Sequence, residues 1–386
     1  MKPRILSMVL TVWIAPCLWA QLTPDVLWQD SLNYSYVITD VAASPAGVYC
    51  ACPHDGGVDI RQISDGTLAT NLTLGGSWIG ALCFSPDGKY LAAAGSSGQI
   101  QLWNVADWSA AYSVSASGPI AFSPDSTMLA TAVNQEIQLR NATNGILLHS
   151  WTNLSTASVP VVALAFSPDG TMLASGAGSR GSDTNLTVWS VPGGNLLRTV
   201  PTALTYHVGA ITFSPDGRWV ATAGGDLAYG PAQLWRVSDW QLVHTFPGST
   251  FSARFSPDGA ALAVIGTNID FFRVPDGALL QHYSDSAHGS YYQKALAFTP
   301  DGGSFLRVCY SELFRARTPF ALFRFTRKDS KWQLSWLGGH APFQVQECTN
   351  SLNGTWQDLG SPLTNRTMEL EPRTSNAFYR VVSAPE

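Results

Sequence analysis

Apolar and polar positions alternate along this chain in short runs, and turn residues separate the runs. Ala81-Leu82-Cys83-Phe84 is followed by Ser85-Pro86-Asp87-Gly88. Leu91-Ala92-Ala93-Ala94-Gly95 comes next, and then Ile100-Gln101-Leu102-Trp103. The pattern predicts strands joined by tight turns. In the first turn proline presets φ, aspartate bonds locally and glycine accepts a left-handed backbone. Ser64-Asp65-Gly66, Thr143-Asn144-Gly145, Pro192-Gly193-Gly194 and Pro275-Asp276-Gly277 mark a further turn before a fourth strand. That strand reads Leu147-Leu148, Leu196-Leu197, Leu242-Val243 or Leu279-Leu280 in different places. No window of helical period competes.

The unit repeats. Phe84-Ser85-Pro86-Asp87-Gly88 returns from Phe122, Phe166, Phe213, Phe255 and Phe298, with Ser126 for the glycine once and Thr299 for the serine once. Ala43-Ser44-Pro45-Ala46-Gly47 is a degenerate first copy, and the seven copies are spaced 41, 38, 44, 47, 42 and 43 residues apart. Periods of this size imply a propeller of four-stranded blades. The small residues of the second strands are expected to let neighbouring sheets approach near the axis. The last copy supplies strands near 305–309 and 313–317 but no fourth, while residues 26–31 read as an orphan fourth strand. Pairing the two would close the ring and remove its exposed edges. The fold expected is all-β, a seven-bladed propeller over 21–318 followed by a small β-sandwich over 319–386.

The N-terminus departs from the pattern. A basic Met1-Lys2-Pro3-Arg4 precedes an apolar stretch over 5–14, and Leu18-Trp19-Ala20 offers a small residue before Gln21. This is the plan of a cleavable secretory signal over 1–20, with cleavage after Ala20. The expected location is therefore secreted, periplasmic or cell-surface, with no transmembrane helix in the mature chain. Removing Lys2 and Arg4 moves the formal charge from -5 to -7, which disfavours a nucleic-acid partner. Charged residues make up only 13%, and 45% hydrophobic residues suffice for a large core. Blades packed on both faces account for that low charge. Cys50 and Cys52 share one strand face, and Cys83 reads as a small core residue. A single disulfide is compatible with export, and no zinc spacing occurs.

Phe-Ser-Pro-Asp-Gly followed by Leu102-Trp103-Asn104-Val105, Val188-Trp189-Ser190-Val191 and Leu234-Trp235-Arg236-Val237 resembles the WD-repeat family, over roughly 25–318. A more distant resemblance is to TolB-like periplasmic propellers. Asn104, Ser190 and Arg236 stand where the family carries aspartate after tryptophan, and the Gly-His dipeptide is missing from most copies. The resemblance therefore implies a divergent bacterial relative without the family's Asp-His-Ser-Trp network. Beyond residue 319, Leu334-Ser335-Trp336, Phe343-Gln344-Val345-Gln346, Gly354-Thr355-Trp356 and Phe378-Tyr379-Arg380-Val381 resemble a C-terminal module of secreted Verrucomicrobia-like proteins, distantly similar to fibronectin type III. Arg324, Arg327, Lys328 and Lys331 form a small basic cluster there, read as a solvated strand and linker face.

Catalytic motifs are absent from the sequence: no Gly-x-Ser-x-Gly, no His-Glu-x-x-His and no phosphate loop. The recurring aspartates have a turn role and the recurring tryptophans a core role. No catalytic residue, metal ligand or cofactor is expected. Irregular loops opposite the Ser-Pro-Asp-Gly turns are the expected contact surface. One set precedes the first strands and contains Trp78, Tyr206, His207 and Tyr292. The other joins second and third strands, is longest at 178–185 and 224–231, and contains Asp226 and Tyr229. The reading is a monomeric, non-enzymatic scaffold for a protein or glycan. The rival is a lactonase-like hydrolase, which requires three or more of His54, Asp55, Asp183, His207, Asp226 and His288 to converge on the axis.

Overall fold

The computed structural model describes residues 26–31, 40–54, 56–75, 78–116, 118–153, 159–178, 185–202, 204, 207–224, 230–248, 250–266, 268–283, 294–309 and 312–318. In the C-terminal part it describes 322–328, 331–337, 343–348, 357–358, 361, 363, 367–370 and 378–383. Two compact units result, Thr23–Ala316 and one containing Arg317–Glu386.

The larger unit is a seven-bladed β-propeller. Blade 2 shows the plan: Ile79–Phe84, Tyr90–Gly95, Gln99–Asn104 and Ala110–Ser115 pair in sequence order, all antiparallel. Blades 1, 3, 4, 5 and 6 repeat it, their first strands being Ala42–Ala43, Ile120–Phe122, Val161–Phe166, Ala210–Phe213 and Thr250–Phe255. Blade 7 takes Lys294–Phe298, Ser304–Cys309 and Glu312–Arg317 from the end of the unit and its outer strand, Val26–Ser31, from the beginning. Gln29 faces Phe314 and Asp30 faces Leu313. First strands of neighbouring blades lie against one another in an unbroken cycle, blade 7 against blade 1 included. The expected closure is thus the observed one.

The core lies between the blades. Trp103 packs with Ala51 and Ile60 of blade 1, Trp189 with Ile137 and Leu139 of blade 3, and Trp235 with Leu186 and Val200 of blade 4. These tryptophans are 2–5% exposed, and Ala92, Ala93 and Ala94 of a second strand are 0–3% exposed. Small second-strand side chains do bring the sheets together there. Burial on both faces stops at the outer strands: Leu148 and Leu197 are each 52% exposed, because no further layer covers the rim.

Each Ser-Pro-Asp-Gly turn is bonded mainly within itself. Ser123 Oγ donates to Asp125 Oδ1 at 2.6 Å and accepts from Met128 N at 2.9 Å, while Asp125 Oδ1 also takes Thr127 N at 3.0 Å. The serine–aspartate bond recurs at Ser85–Asp87, Ser167–Asp169, Ser214–Asp216 and Ser256–Asp258, and Thr299 makes it to Asp301. Gly170, at φ +71°, shows what its position demands: a Cβ there would lie an ordinary 3.7 Å from Pro124. Backbone conformation, not space, selects glycine. Ser126 takes the same left-handed conformation at φ 61° and accepts Asp87 N at 3.0 Å from the neighbouring turn.

The third-strand position that holds tryptophan in blades 2, 4 and 5 holds Arg61, Arg140, Phe272 and Arg315 in blades 1, 3, 6 and 7. Trp189 Nε1 donates to Ser175 Oγ at 2.8 Å, and Trp235 Nε1 to Thr222 Oγ1 at 3.1 Å. The network expected to be missing therefore keeps its tryptophan–hydroxyl half. Ala93 replaces the hydroxyl residue in blade 2, so Trp103 has no such neighbour.

The C-terminal unit holds two three-stranded sheets. One joins Leu322–Lys328, Lys331–Leu337 and Thr367–Leu370; the other joins Gln357–Asp358, Phe343–Cys348 and Phe378–Ser383. Arg324, Arg327, Lys328 and Lys331 fall on the paired strands of its first hairpin.

Candidate functional site

First strands run from the loop face of the ring to the Ser-Pro-Asp-Gly face. The turn face is closed chemistry. Asp125 and Asp169 carry carboxyls held below the usual range, first by the Ser123 and Ser167 hydroxyls and then by the Thr127 and Thr171 backbone N–H groups. A groove of about 360 Å³ lies between these turns, lined by Pro124, Asp125, Met128 and Pro168. Ser123 Oγ, Asp125 Oδ1 and Asp169 Oδ1 are engaged within the turns themselves.

The loop face is irregular from blade to blade. Trp78 lies on it, 50% exposed. Its position is fixed on both sides: Ser96 N donates to Trp78 O at 2.9 Å, and Trp78 N to Ser96 Oγ at 3.3 Å. The indole covers Gly80, where a Cβ would stand 2.5 Å from Cζ3. Gly80 is the extra residue of a bulge, since Ile79 faces Gly95 and Ala81 faces Ala94. His207 is half-buried, next to the buried Val208 that precedes the first strand of blade 5. Tyr206, Asp226, Tyr229 and Tyr292 lie outside the described residues.

Two charged groups that sequence reading missed sit inside the ring. Asp40, just ahead of the first strand of blade 1, accepts Leu82 N of blade 2 at 3.0 Å through Oδ2 and Val41 N at 2.9 Å through Oδ1. Arg254, in the first strand of blade 6, brings Nη2 to 4.0 Å from Asp40 Oδ1. Its Nη1 donates to Ser252 Oγ at 3.0 Å and Ala253 O at 3.1 Å. Burial pushes the Asp40 carboxyl up, against the opposing pull of Arg254 and the two N–H donors. The matching positions on other first strands are Ala42, Cys83, Ala121, Ala165, Thr212 and Ala297. Arg254 thus stands where the other first strands carry a small, uncharged residue.

The convergence needed by a hydrolase falls mostly on Asp55, Asp183, Asp226 and His288, which lie outside the described residues. Of the others, His54 bonds Asn71 Nδ2 at 2.7 Å beside Asp59. Among the described residues no three His, Cys, Asp or Glu are placed to hold a metal ion. Cys50, Cys52 and Cys83 are unbridged thiols, all held protonated by burial, Cys50 at about 12.

Residues 66–104, 149–190 and 194–227 match the WD domain, G-beta repeat. Each match begins in or beside the outer strand of one blade and runs into the next, so the sequence repeat is offset from the blade. An uncharacterized WD repeat-containing protein of Synechocystis sp. is 31% identical over 143 residues, covering 36% of this chain and 39% of that protein. The chain thus spans about two-fifths of the length of the curated relative it matches. Those likenesses, with the closed cycle of seven four-stranded blades, support a WD-repeat propeller.

Proposed function

We propose that this chain is an exported, non-enzymatic binding scaffold, a monomer whose propeller presents its loop face to a protein or glycan partner. The observation that carries it is the contrast between the two faces. Turns of one face are uniform and internally bonded, whereas those of the other vary in length and carry a half-exposed, anchored tryptophan. WD-repeat propellers are interaction scaffolds by habit, and irregular loops on a rigid frame suit recognition. Residues 1–20 act as the export signal. The fibronectin-like C-terminal unit adds attachment or a second contact.

The test compares the full chain with a variant carrying Tyr206→Ala, Asp226→Ala, Tyr229→Ala and Tyr292→Ala, on matched protein and glycan arrays. A specific binder captured by the parent and lost by the variant, with melting unchanged, is the expected result. A parent that captures nothing, or a variant that keeps every binder, overturns the reading. N-terminal sequencing of exported protein should start at Gln21.

A further inference from the structure

Resting on the loop-face reading, we propose that the loop-side mouth of the central channel is a subsite for one ring of a neutral oligosaccharide. Trp78 is the stacking platform, and Asp40 and Arg254 serve the hydroxyl groups.

The first observation is Gly80. Its backbone is not left-handed, so conformation does not call for glycine there. Space does: a Cβ would stand 2.5 Å from Trp78 Cζ3 and 3.1 Å from Cη2. The missing side chain makes room for the indole to lie across the start of an inner strand. Half of the residue's surface nevertheless stays in water, which forfeits burial that a purely structural tryptophan would take. A fixed, flat, half-exposed aromatic face attracts the electropositive C–H groups on one side of a sugar ring.

The second observation is the charge balance below it. Leu82, whose N–H binds Asp40, lies two residues beyond Gly80, about 7 Å along the strand. The carboxylate accepts hydrogen bonds and the guanidinium donates them, which matches hydroxyls that do both. Their side chains are 17% and 38% exposed, so both remain reachable. At 4.0 Å the pair is at the limit of contact and stays open to a bridging group. A cationic side chain arriving at Asp40 meets Arg254, and an anionic sugar arriving at Arg254 meets Asp40. The mouth therefore selects against charge of either sign. Phe251, the bulged residue of blade 6, adds a half-buried apolar side chain beside Ser252.

Isothermal titration of the full chain with cellohexaose, mannohexaose, xylohexaose and chitohexaose tests this, with hexalysine and hexagalacturonate as charged probes. At least one neutral sugar should bind. Trp78→Ala should weaken it roughly tenfold or more, the equivalent of about 1.4 kcal/mol. Gly80→Ala keeps the indole but displaces it, and should weaken binding to a similar degree with melting preserved. Binding by none of the four sugars overturns the proposal, as does Trp78-dependent binding of hexalysine or hexagalacturonate in their place. Sugar binding that survives Trp78→Ala but is lost with the four loop substitutions also overturns it, and leaves the loop-face reading standing.

Discussion

The seam between blades 7 and 1 and the seam between blades 3 and 4 do the same job by different means. At the ordinary seam, Trp151 of blade 3 lies over Gly194 of blade 4, its ring 6.0 Å from that of Trp189, and His149 meets Gly193 O at 3.0 Å. At the closing seam, Trp28 lies over Gly66 in the same way and also donates to Ile63 O at 2.8 Å. Arg315 donates to that same carbonyl at 2.9 Å. Arg61 binds Asp30, Gly66 O and Asp59. The core beneath joins Cys50, Cys52, Val41 and Ala295 to Ile63, Leu306 and Leu313. A blade assembled from two chain ends has no covalent hairpin to set its outer strand, so directional polar bonds set the register instead.

Arg61 and Arg140 occupy the same strand position and give the largest test of that contrast. Arg61 is 9% exposed and neutralises Asp59, itself 4% exposed. Arg61→Met should cost about 3–5 kcal/mol by taking the guanidinium away from the buried Asp59 carboxylate. Arg140 donates to Gly145 O and Gln138 Oε1, both neutral. Arg140→Met should cost about 1 kcal/mol. Paired urea melts measure both, and equal losses would dissolve the distinction.

Trp28→Ala should cost about 3 kcal/mol, through ring and hydrogen bond together. Trp151→Ala should cost about 1 kcal/mol less, because its loss is packing alone. A larger loss at Trp151 would reverse the ranking.

Gly66→Ala and Gly194→Ala sharpen the comparison by removing what the seams share. Both glycines are left-handed, at φ +79° and +64°, and a Cβ would meet the facing tryptophan at 2.7 and 2.5 Å. Each should cost about 1–2 kcal/mol, equally at the two seams.

The smallest effect belongs to the turns. The Asp125 and Asp169 carboxyls titrate lower in the fold than in the unfolded chain. Their contribution is therefore full at neutral pH, above the unfolded value, and is lost as pH falls through the lowered folded value. Melting temperature followed from pH 7 to pH 3 should decline less steeply in the Asp125→Asn, Asp169→Asn double variant than in the parent. An identical slope would remove these carboxylates from the acid response.

The blades were readable because each copy repeats the same local chemistry: proline, aspartate and glycine fix a turn whatever surrounds it. The orphan strand at 26–31 was readable because the last copy lacked one. Arg61 and Arg315 in the tryptophan position were not, since Asp30 and Ile63, which they bind, belong to other blades. Nor was Asp40 with Arg254, two residues that meet only after ring closure. Trp78 was legible as an irregular aromatic, but Gly80 beneath it was not, because a strand bulge has no signature in an alternating pattern. The strand at 322–328 was obscured by its positive charge.

The clasp also orders events in time. Val26 and Ala316 are partners, yet the first leaves the ribosome long before the second. At 5–20 residues per second, the outer strand of blade 7 waits about 15–60 s for its neighbour. Until then every nascent chain carries an unmatched strand and an incomplete last blade. A ring of this design can close only after synthesis has passed the strand Glu312–Arg317, so closure is the last step of its assembly, whichever compartment receives it.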